Sequence, residues 1–517
     1  MTRQILTALA LLTSAIMLLP LIGLLLGFID PPENPLAPAT PFLELIVQSD
    51  LWALLGRTIL LGISVSVLSV FLGTYLAYLL VRTQYFGHHV LALVGLMSLA
   101  MPSYILAATL RDILSAYFTG FFPVLLTLVV ITIPYVQLLV SASLMRLSSS
   151  EEEAARTLGA SAPQVFFKII LPHARPSIAL AFLITILYTI SEFGAVSVLN
   201  YPVLTWRLYQ AVDHQQLSQA ILLGTSLLAV GIPLFIFSRL LHGEVPLITQ
   251  LANPKQTSRV TLSPLSLIFA YSAHAIMIGI GVILPVIVLG TWVFEGLMQH
   301  ITFASLHIAI WDSLRIALFA ASFIVLLSFA PAWLATQRTK GIGRFVEQTT
   351  YLSSALPGIL LAFGLMLIAL YLARFSNSTN LYTHLLHSGI LLILGYTLCF
   401  LSQAYTGVKT AILKLDRRQY DTAKTLGASS LRYFFKIALP SLKPGIATAF
   451  ILVFLAVLKE LPVTLLLGGA MGLRPLSYRV FDRYQEAFLH DAGFAGLVLL
   501  LLSFLMMAIV LRWRSHV

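Results

Sequence analysis

Residues 153–182 read EAARTLGASAPQVFFKIILPHARPSIALAF, and residues 421–450 read DTAKTLGASSLRYFFKIALPSLKPGIATAF. Seventeen of these thirty positions are identical, at a constant offset of 421 − 153 = 268 residues. Most of the remaining chain consists of apolar runs, yet the stretch repeated best is polar and basic. A repeat that served only to pack a core would echo its apolar positions most strongly. A polar surface present twice implies something outside the apolar phase that grips both copies.

The 517 residues are 59% hydrophobic and 10% charged, with a mean hydropathy of +0.94. A soluble globule carries about 25% charged residues, so this is the composition of a polytopic membrane protein. Apolar windows able to cross about 30 Å of hydrocarbon fall near 5–28, 54–81, 90–110, 121–145, 175–199 and 219–240. A second set falls near 265–294, 308–336, 350–373, 386–411, 441–469 and 491–513. The expected fold is all-α, with twelve transmembrane helices as six plus six. Lipid admits only helices or closed barrels, and these runs are too long and uniform for barrel strands. The first run exceeds the apolar core of ~7–15 residues typical of a secretory signal, so it reads as an uncleaved first helix. Cys399 is the only cysteine, which excludes an intramolecular disulfide and reads as a small buried thiol.

The net charge of +11 reflects orientation better than nucleic-acid binding, because the basic residues form no soluble domain. With a cytoplasmic N-terminus, the loops on that side hold 22 of the 31 Lys and Arg residues and the opposite loops hold six. That is the bias expected of cytoplasmic loops, and it places both termini and both copies of the repeat in the cytoplasm. An even number of spans per half makes the halves parallel repeats. The predicted organisation is a first half at 1–241, a cytoplasmic linker at 242–264 and a second half at 265–517. Arg82-Thr83 echoes Arg338-Thr339, and Met101-Pro102 echoes Leu356-Pro357. The offset grows from about 255 to 268 between these echoes and the main repeat. Extra residues therefore belong to the second half, most simply in the polar loop 374–384.

Local physics shapes the repeated segments, near 148–172 and 416–440. Ser148 with Glu151, and Asp416 with Gln419, can form capping boxes. A short helix should then reach Leu158 and Leu426, ended by Gly159 and Gly427 in the left-handed conformation. Ser161 and Ser429 can cap a second short helix, which Pro172 and Pro440 are expected to end. An interfacial hairpin packed on its own bundle is the plain alternative.

The first copy fits the cytoplasmic signature of ABC importer permeases: E-A-A, three residues, G, nine residues, then I-x-L-P. It supplies Glu153, Ala154, Ala155, Gly159, Ile169, Leu171 and Pro172. The second copy supplies Asp421, Thr422, Ala423, Gly427, Ile437, Leu439 and Pro440, departing from E-A-A at its first two positions. With the flanking spans, the chain resembles that family over nearly its whole length. The resemblance implies that each first short helix docks on a separate ATP-binding subunit, an ATPase dimer gripping both copies, and that a periplasmic binding protein delivers the substrate. It implies a multi-pass location in the bacterial inner membrane. This chain has no G-x-x-x-x-G-K-[ST] loop to cradle nucleotide phosphates. It is expected to be a transport subunit rather than an enzyme and to bind no cofactor, with ATP and magnesium on the partner.

Ionisable residues within apolar runs point to function by default. Glu192 and Glu460 are again 268 residues apart, on the run that leaves each repeated segment. Two matching helices about one axis could bring both carboxylates to a shared pathway or gate, with Gly194 and Pro462 loosening each helix. The plain alternative is that Glu192 caps a broken helix and Glu460 pairs with Lys459 or an outer arginine. The sequences S-E-F-G-A and K-E-L-P-V-T-L-L-L look like those of fused iron(III) importer permeases. Ferric iron is a hard cation suited to oxygen ligands, which makes Glu192 and Glu460 candidate metal contacts. Tyr188 lies one turn before Glu192 and could add a phenolate, but its aligned position is Ala456. A fused permease for thiamine or another small organic cation is the nearest rival. An ion-driven secondary transporter would explain the duplicated spans, but not two matched docking surfaces. Arg474, Arg479 and Arg483 could receive a binding protein or be ordinary loop charges, and His88-His89 reads as a solvated turn.

Overall fold

The computed structural model describes residues 2–30, 46, 50–114, 117–147, 149–242, 260–301, 306–337, 340–352, 355–415 and 417–514. Eleven helices within them are long and apolar enough to cross a membrane, and one bent pair supplies a twelfth. The first half contributes Gln4–Ile29, Leu51–Arg82, the bent pair His88–Ala100 plus Ser103–Leu114, Phe121–Leu144, Phe166–Ile190 and Leu217–Ser238. The second half contributes Pro264–Met298, Leu306–Gln337, Gly358–Phe375, Ile390–Leu413, Phe435–Lys459 and Leu489–Ile509. The chain is an all-helical, multi-pass membrane protein built from two matched halves.

The window 90–110 is corrected from a straight span to a sharp bend. The chain tightens into a 3-10 turn at Met97–Ala100 and changes direction by 100° before Ser103. Pro102 has no N–H to donate, and its ring crowds the preceding turn. The matched Leu356-Pro357 interrupts the second half at the same place, between the helices Ile342–Leu352 and Gly358–Phe375. The extra residues of the second half are also redistributed. Gly358–Phe375 has 18 residues against 12 in Ser103–Leu114. Most of what reads as a polar loop forms a helix, Thr379–His387.

Most of the expected linker, 243–259, lies outside the described residues. Its exit, Val260–Thr261, pairs in parallel with Thr83–Gln84 at the end of the second span. Each half lends its first span to the other. The helix Thr2–Ile29 packs on Gly358–Phe375 and Leu306–Gln337, while Pro264–Met298 packs beside the bent pair of the first half. Both exchanged spans are pinned at the end remote from the repeated segments. Arg374 Nη1 donates to Asp30 Oδ2 at 3.1 Å, and Trp292 Nε1 donates to Asp112 Oδ2 at 3.0 Å.

Close approach of backbones makes the first exchange possible. A Cβ at Gly23 would stand 2.3 Å from the Gly364 carbonyl oxygen, and one at Gly364 would stand 2.5 Å from that of Pro20. Small residues at a helix crossing provide the close packing that holds spans together in lipid. Gly290, by contrast, has no atom within 4 Å of an added Cβ. Gly364→Val should therefore lower stability by about 1–3 kcal/mol through overpacking. Gly290→Ala should be neutral or mildly stabilising, by up to ~1 kcal/mol. Unfolding of the purified variants in detergent measures both, and equal effects would show that the crossing is not tightly packed.

Candidate functional site

The repeated segments form two nine-residue helices, Ser149–Thr157 and Arg417–Thr425. Their expected caps, Ser148 and Asp416, fall outside the described residues. The ends match the sequence reading. Gly159 and Gly427 have φ of +85° and +77°. The N–H groups of Gly159 and Ala160 donate to the carbonyls of Arg156 and Ala155, and those of Gly427 and Ala428 to Lys424 and Ala423. These are the paired bonds of a left-handed helix stop. In the next helix, the Gln164 side chain accepts from Ser161 N–H at 2.9 Å, and Ser429 Oγ accepts from Arg432 N–H at 3.2 Å. Each copy thus shows one half of a capping box.

Pro172 and Pro440 do not end the second helix, which corrects the expected boundary. A π turn in each copy, Phe166–Ile170 and Phe434–Ala438, leads directly into Leu171–Ile190 and Leu439–Lys459. The wide turn delivers each proline to the opening of the next helix, where its missing N–H is tolerated. Each repeated segment is consequently continuous with a membrane span. Phe166–Ile190 has 25 residues, about 37 Å of unbroken lever at 1.5 Å per residue.

The outer faces of the two copies correspond. Glu153, Ala154, Gly159, Thr422 and Gly427 are exposed, Ala155 is half-buried, Ala423 is buried, and Asp421 lies within the second helix. Leu158 is 89% exposed and its match Leu426 80%, while Phe167 and its match Phe435 are both above 60%. Large apolar side chains left open at matched positions just after each polar helix and in each π turn form a candidate contact surface.

The anchoring residue on the inner face is Glu152, the neighbour of the motif glutamate, and sequence reasoning missed it. Its carboxylate is buried 2.9 Å from Arg82 Nη1. Arg82 Nη2 also donates to the carbonyls of Leu144 at 2.9 Å and Leu147 at 3.3 Å. One guanidinium thereby joins the second span, the end of the fourth and the first repeated helix. At the aligned position of Glu152 the second copy has Tyr420, so this clamp is asymmetric.

At the far end of each lever the helix breaks at the predicted glutamate. Leu171–Ile190 stops before Glu192, and Glu460 follows the last residue of Leu439–Lys459. Glu192 Oε1 accepts from Ala195 N–H at 3.0 Å and from Ser103 Oγ at 2.6 Å, with the Tyr188 hydroxyl also hydrogen-bonded to it. Glu460 accepts from the N–H groups of Val463 at 3.0 Å and Thr464 at 3.1 Å. Both carboxylates therefore cap the helical piece that restarts after the break.

These contacts bring the two breaks and the two bends together. Ser103, bound to Glu192, directly follows Pro102. Its match Gly358 directly follows Pro357, and a Cβ there would lie 3.2 Å from Glu460 Oε1. Tyr104 of the first half is within electrostatic reach of Glu460, and Lys459 of the second within reach of Glu192. Lys459 Nζ donates to the Leu99 carbonyl at 2.7 Å rather than to Glu460. Beside them Phe193 meets Phe481 at a centroid distance of 5.8 Å, closing the halves with apolar rings. Among the described residues no three His, Cys, Asp or Glu side chains cluster as a metal cage. Two of the three far-side arginines are engaged internally, Arg479 with Asp491 at 2.7 Å and Arg483 with Glu486 at 2.6 Å.

Comparison with known proteins matches residues 69–245 and 328–517 to the family described as binding-protein-dependent transport system inner membrane component. The chain is 28% identical over 470 residues to the Fe(3+)-transport system permease protein FbpB 2 of Haemophilus influenzae, covering 90% of each chain. It is 23% identical over 396 residues to the ferric transport system permease protein FbpB of Actinobacillus pleuropneumoniae, covering 72% of this chain and 55% of that one. A probable sulfate transport system permease protein cysT of Prototheca wickerhamii is 25% identical over 207 residues, 38% of this chain and 79% of its own.

The buried clamp makes a direct prediction. Arg82→Met removes the cation 2.9 Å from the buried Glu152 carboxylate and should cost about 3–5 kcal/mol, whereas Arg82→Met with Glu152→Met should recover most of that loss. Unfolding of the purified single and double variants measures the difference. Additive losses would mean that the two charges act independently.

Proposed function

The chain belongs to the binding-protein-dependent transport system inner membrane component family, and from that premise we propose that it is the fused permease subunit of an iron(III) importer driven by a separate ATPase. One observation carries the reading. Two exposed, matched helices stand at one end of two continuous levers, and two matched carboxylates stand at the other. An ATPase dimer would grip Glu153–Gly159 and Asp421–Gly427, with Leu158 and Leu426 filling apolar recesses in its subunits. ATP and magnesium belong to that partner. The repeated face and both termini would be cytoplasmic, in keeping with the excess of Lys and Arg there. A binding protein would then release cargo on the far face, where the apolar contact between Phe193 and Phe481 closes the halves.

Closure of the ATPase would draw the two repeated helices together. Rigid levers convey that movement to the breaks at Glu192 and Glu460, exchanging one closed end of the pathway for the other. The glutamates remain caps in the closed arrangement and present negative charge when the halves part. Iron(III) is favoured as cargo because the relative matched over 90% of both chains is an Fe(3+) permease and because two carboxylates attract a hard cation. The same pair of charges disfavours sulfate, whose permeases match shorter stretches.

The test is uptake by the complete complex in vesicles, with ferric iron, thiamine and sulfate supplied separately through the binding protein. ATP-dependent entry of iron alone is expected, reduced about tenfold or more by Glu192→Gln with Glu460→Gln, a loss of about 1.4 kcal/mol in barrier terms. Entry of thiamine or sulfate instead would replace the cargo assignment. Leu158→Asp with Leu426→Asp should abolish co-purification of the ATPase while the permease still inserts in the membrane. Retention of the ATPase by that variant would remove the docking assignment.

A further inference from the structure

Lys459 is a charge that takes no part in capping the restarting helices or in docking. It occupies the position aligned with Ser191, so the cation is present in one half only. The adjoining Glu460 turns back to the N–H groups of Val463 and Thr464. The ammonium crosses instead to the other half and donates to the Leu99 carbonyl at 2.7 Å. Leu99 closes no regular helical turn, because Pro102 lacks the N–H that would continue the 3-10 turn and the chain bends before Ser103. On the other side of the same bend, Ser103 holds Glu192 at 2.6 Å. The Lys459 ammonium and the Glu192 carboxylate are held on the two sides of Pro102, by Leu99 and by Ser103, without a direct ion pair. A cation from one half and a carboxylate of the other thus flank one bend, beside the Phe193–Phe481 contact.

We propose that Lys459 is a tethered surrogate for the cargo: it neutralises Glu192 and ties the halves together while the pathway is empty, and an arriving multivalent cation displaces it. The proposal rests on the reading of the cargo as a cation. A carboxylate held away from water is stabilised by a positive charge nearby, and Lys459 supplies one without capturing an ion from solution. A monovalent ion offers no more charge than the ammonium and must also shed its own water. A trivalent ion is costlier to strip of its water, but it attracts the same carboxylate about three times as strongly at equal distance, because the interaction scales with charge. Tyr188 and Glu192 also offer it oxygen ligands in place of that water. The tether therefore favours displacement by a multivalent cation over a monovalent one. Displacement also removes the hold on Leu99 across the halves, so occupancy and separation become linked. Lys459 is a positioning and selectivity residue in this scheme.

The experiment uses the complete permease–ATPase complex in lipid nanodiscs, comparing wild type, Lys459→Met, Lys459→Arg and Lys459→Met with Glu192→Gln. ATP hydrolysis is measured without binding protein or cargo. Iron retained after incubation with ferric nitrilotriacetate and gel filtration is measured as metal content. Lys459→Met should raise cargo-free hydrolysis about fivefold, the lower end of couplings between sites, and Lys459→Arg should restore the wild-type rate. Lys459→Met should also retain iron that the wild type does not, and Glu192→Gln in the same chain should abolish that retention. The double variant, having lost both charges, controls for folding. Wild-type behaviour of Lys459→Met in both measurements, in a complex that imports iron, would overturn the tether and leave the iron reading intact. If the wild type imports no iron, the cargo reading fails by itself and the hydrolysis comparison decides the tether. A rise reversed by Lys459→Arg supports it, and no rise overturns it.

Discussion

A helix broken inside hydrocarbon exposes backbone N–H and C=O groups that lipid cannot satisfy, and this constraint organises the centre of the molecule. The chain breaks at Pro102 and Pro357, and again around Glu192 and Glu460. Side chains meet the demand at each lever break. Glu192 and Glu460 accept from the N–H groups of the restarting helices, and Lys459 donates to the Leu99 carbonyl. Charges at membrane depth are therefore not optional ornaments added to a finished bundle. The breaks require polar partners, and the two carboxylates supply them. Under the proposed function the same carboxylates would cap when the halves close and lend the pathway its charge when they part.

The two halves meet this constraint with unequal residues. Ser103 answers Glu192 with a hydroxyl, while Gly358 leaves room against Glu460. Lys459 has only Ser191 as its counterpart, and Glu152 has only Tyr420. A symmetrical pair would place two like charges on the axis with nothing between them. Fusion of the halves fixes which one carries the cation and which one carries the clamp. The exchange of first spans has the same consequence, since neither half can separate from the other without removing a helix from the partner's bundle.

Much of this was legible in the sequence wherever a local rule sets the structure. Hydrophobic run length gave six plus six spans, and the left-handed stops at Gly159 and Gly427 followed from glycine's freedom at positive φ. The echo of Met101-Pro102 in Leu356-Pro357 was legible as duplication, but the bend at the first and the interruption at the second were not, because run length alone suggested straight spans. Glu192 and Glu460 stood out because carboxylates are rare in such runs. The rest depended on long-range partners. Gly23 and Gly364 look like any glycines in a span until their helices cross. Glu152 sits beside a more conspicuous glutamate, and only the packing shows which one faces Arg82. The bond from Lys459 to Leu99 leaves no trace in sequence, because its acceptor is a backbone carbonyl. The π turns were hidden for a related reason: Pro172 and Pro440 signal a helix end unless a wide turn readmits them.

Continuity through those π turns decides how force can travel. Had Pro172 ended the helix, the repeated segment would hang from the span by a flexible joint, and its displacement would dissipate there. Because the helix runs from Phe166 to Ile190 without interruption, a tilt at one end must reappear at the other unless the helix bends. Pro176 and Pro444, inside the first turns of the levers, set where bending is easiest, and both lie close to the repeated segments rather than to the glutamates. The portion beyond them is long and stiff, so a small rotation near the repeated segments would become a larger displacement at Glu192 and Glu460. The first lever is further constrained by the Arg82–Glu152 clamp, which ties its repeated helix to two neighbouring spans. Movement of that helix must carry those spans with it, whereas the second copy has Tyr420 in place of the clamp's carboxylate. Under the proposed function, an equal pull on both copies would meet this constraint in the first, and an unequal shift would part a cation from a carboxylate held on opposite sides of one bend.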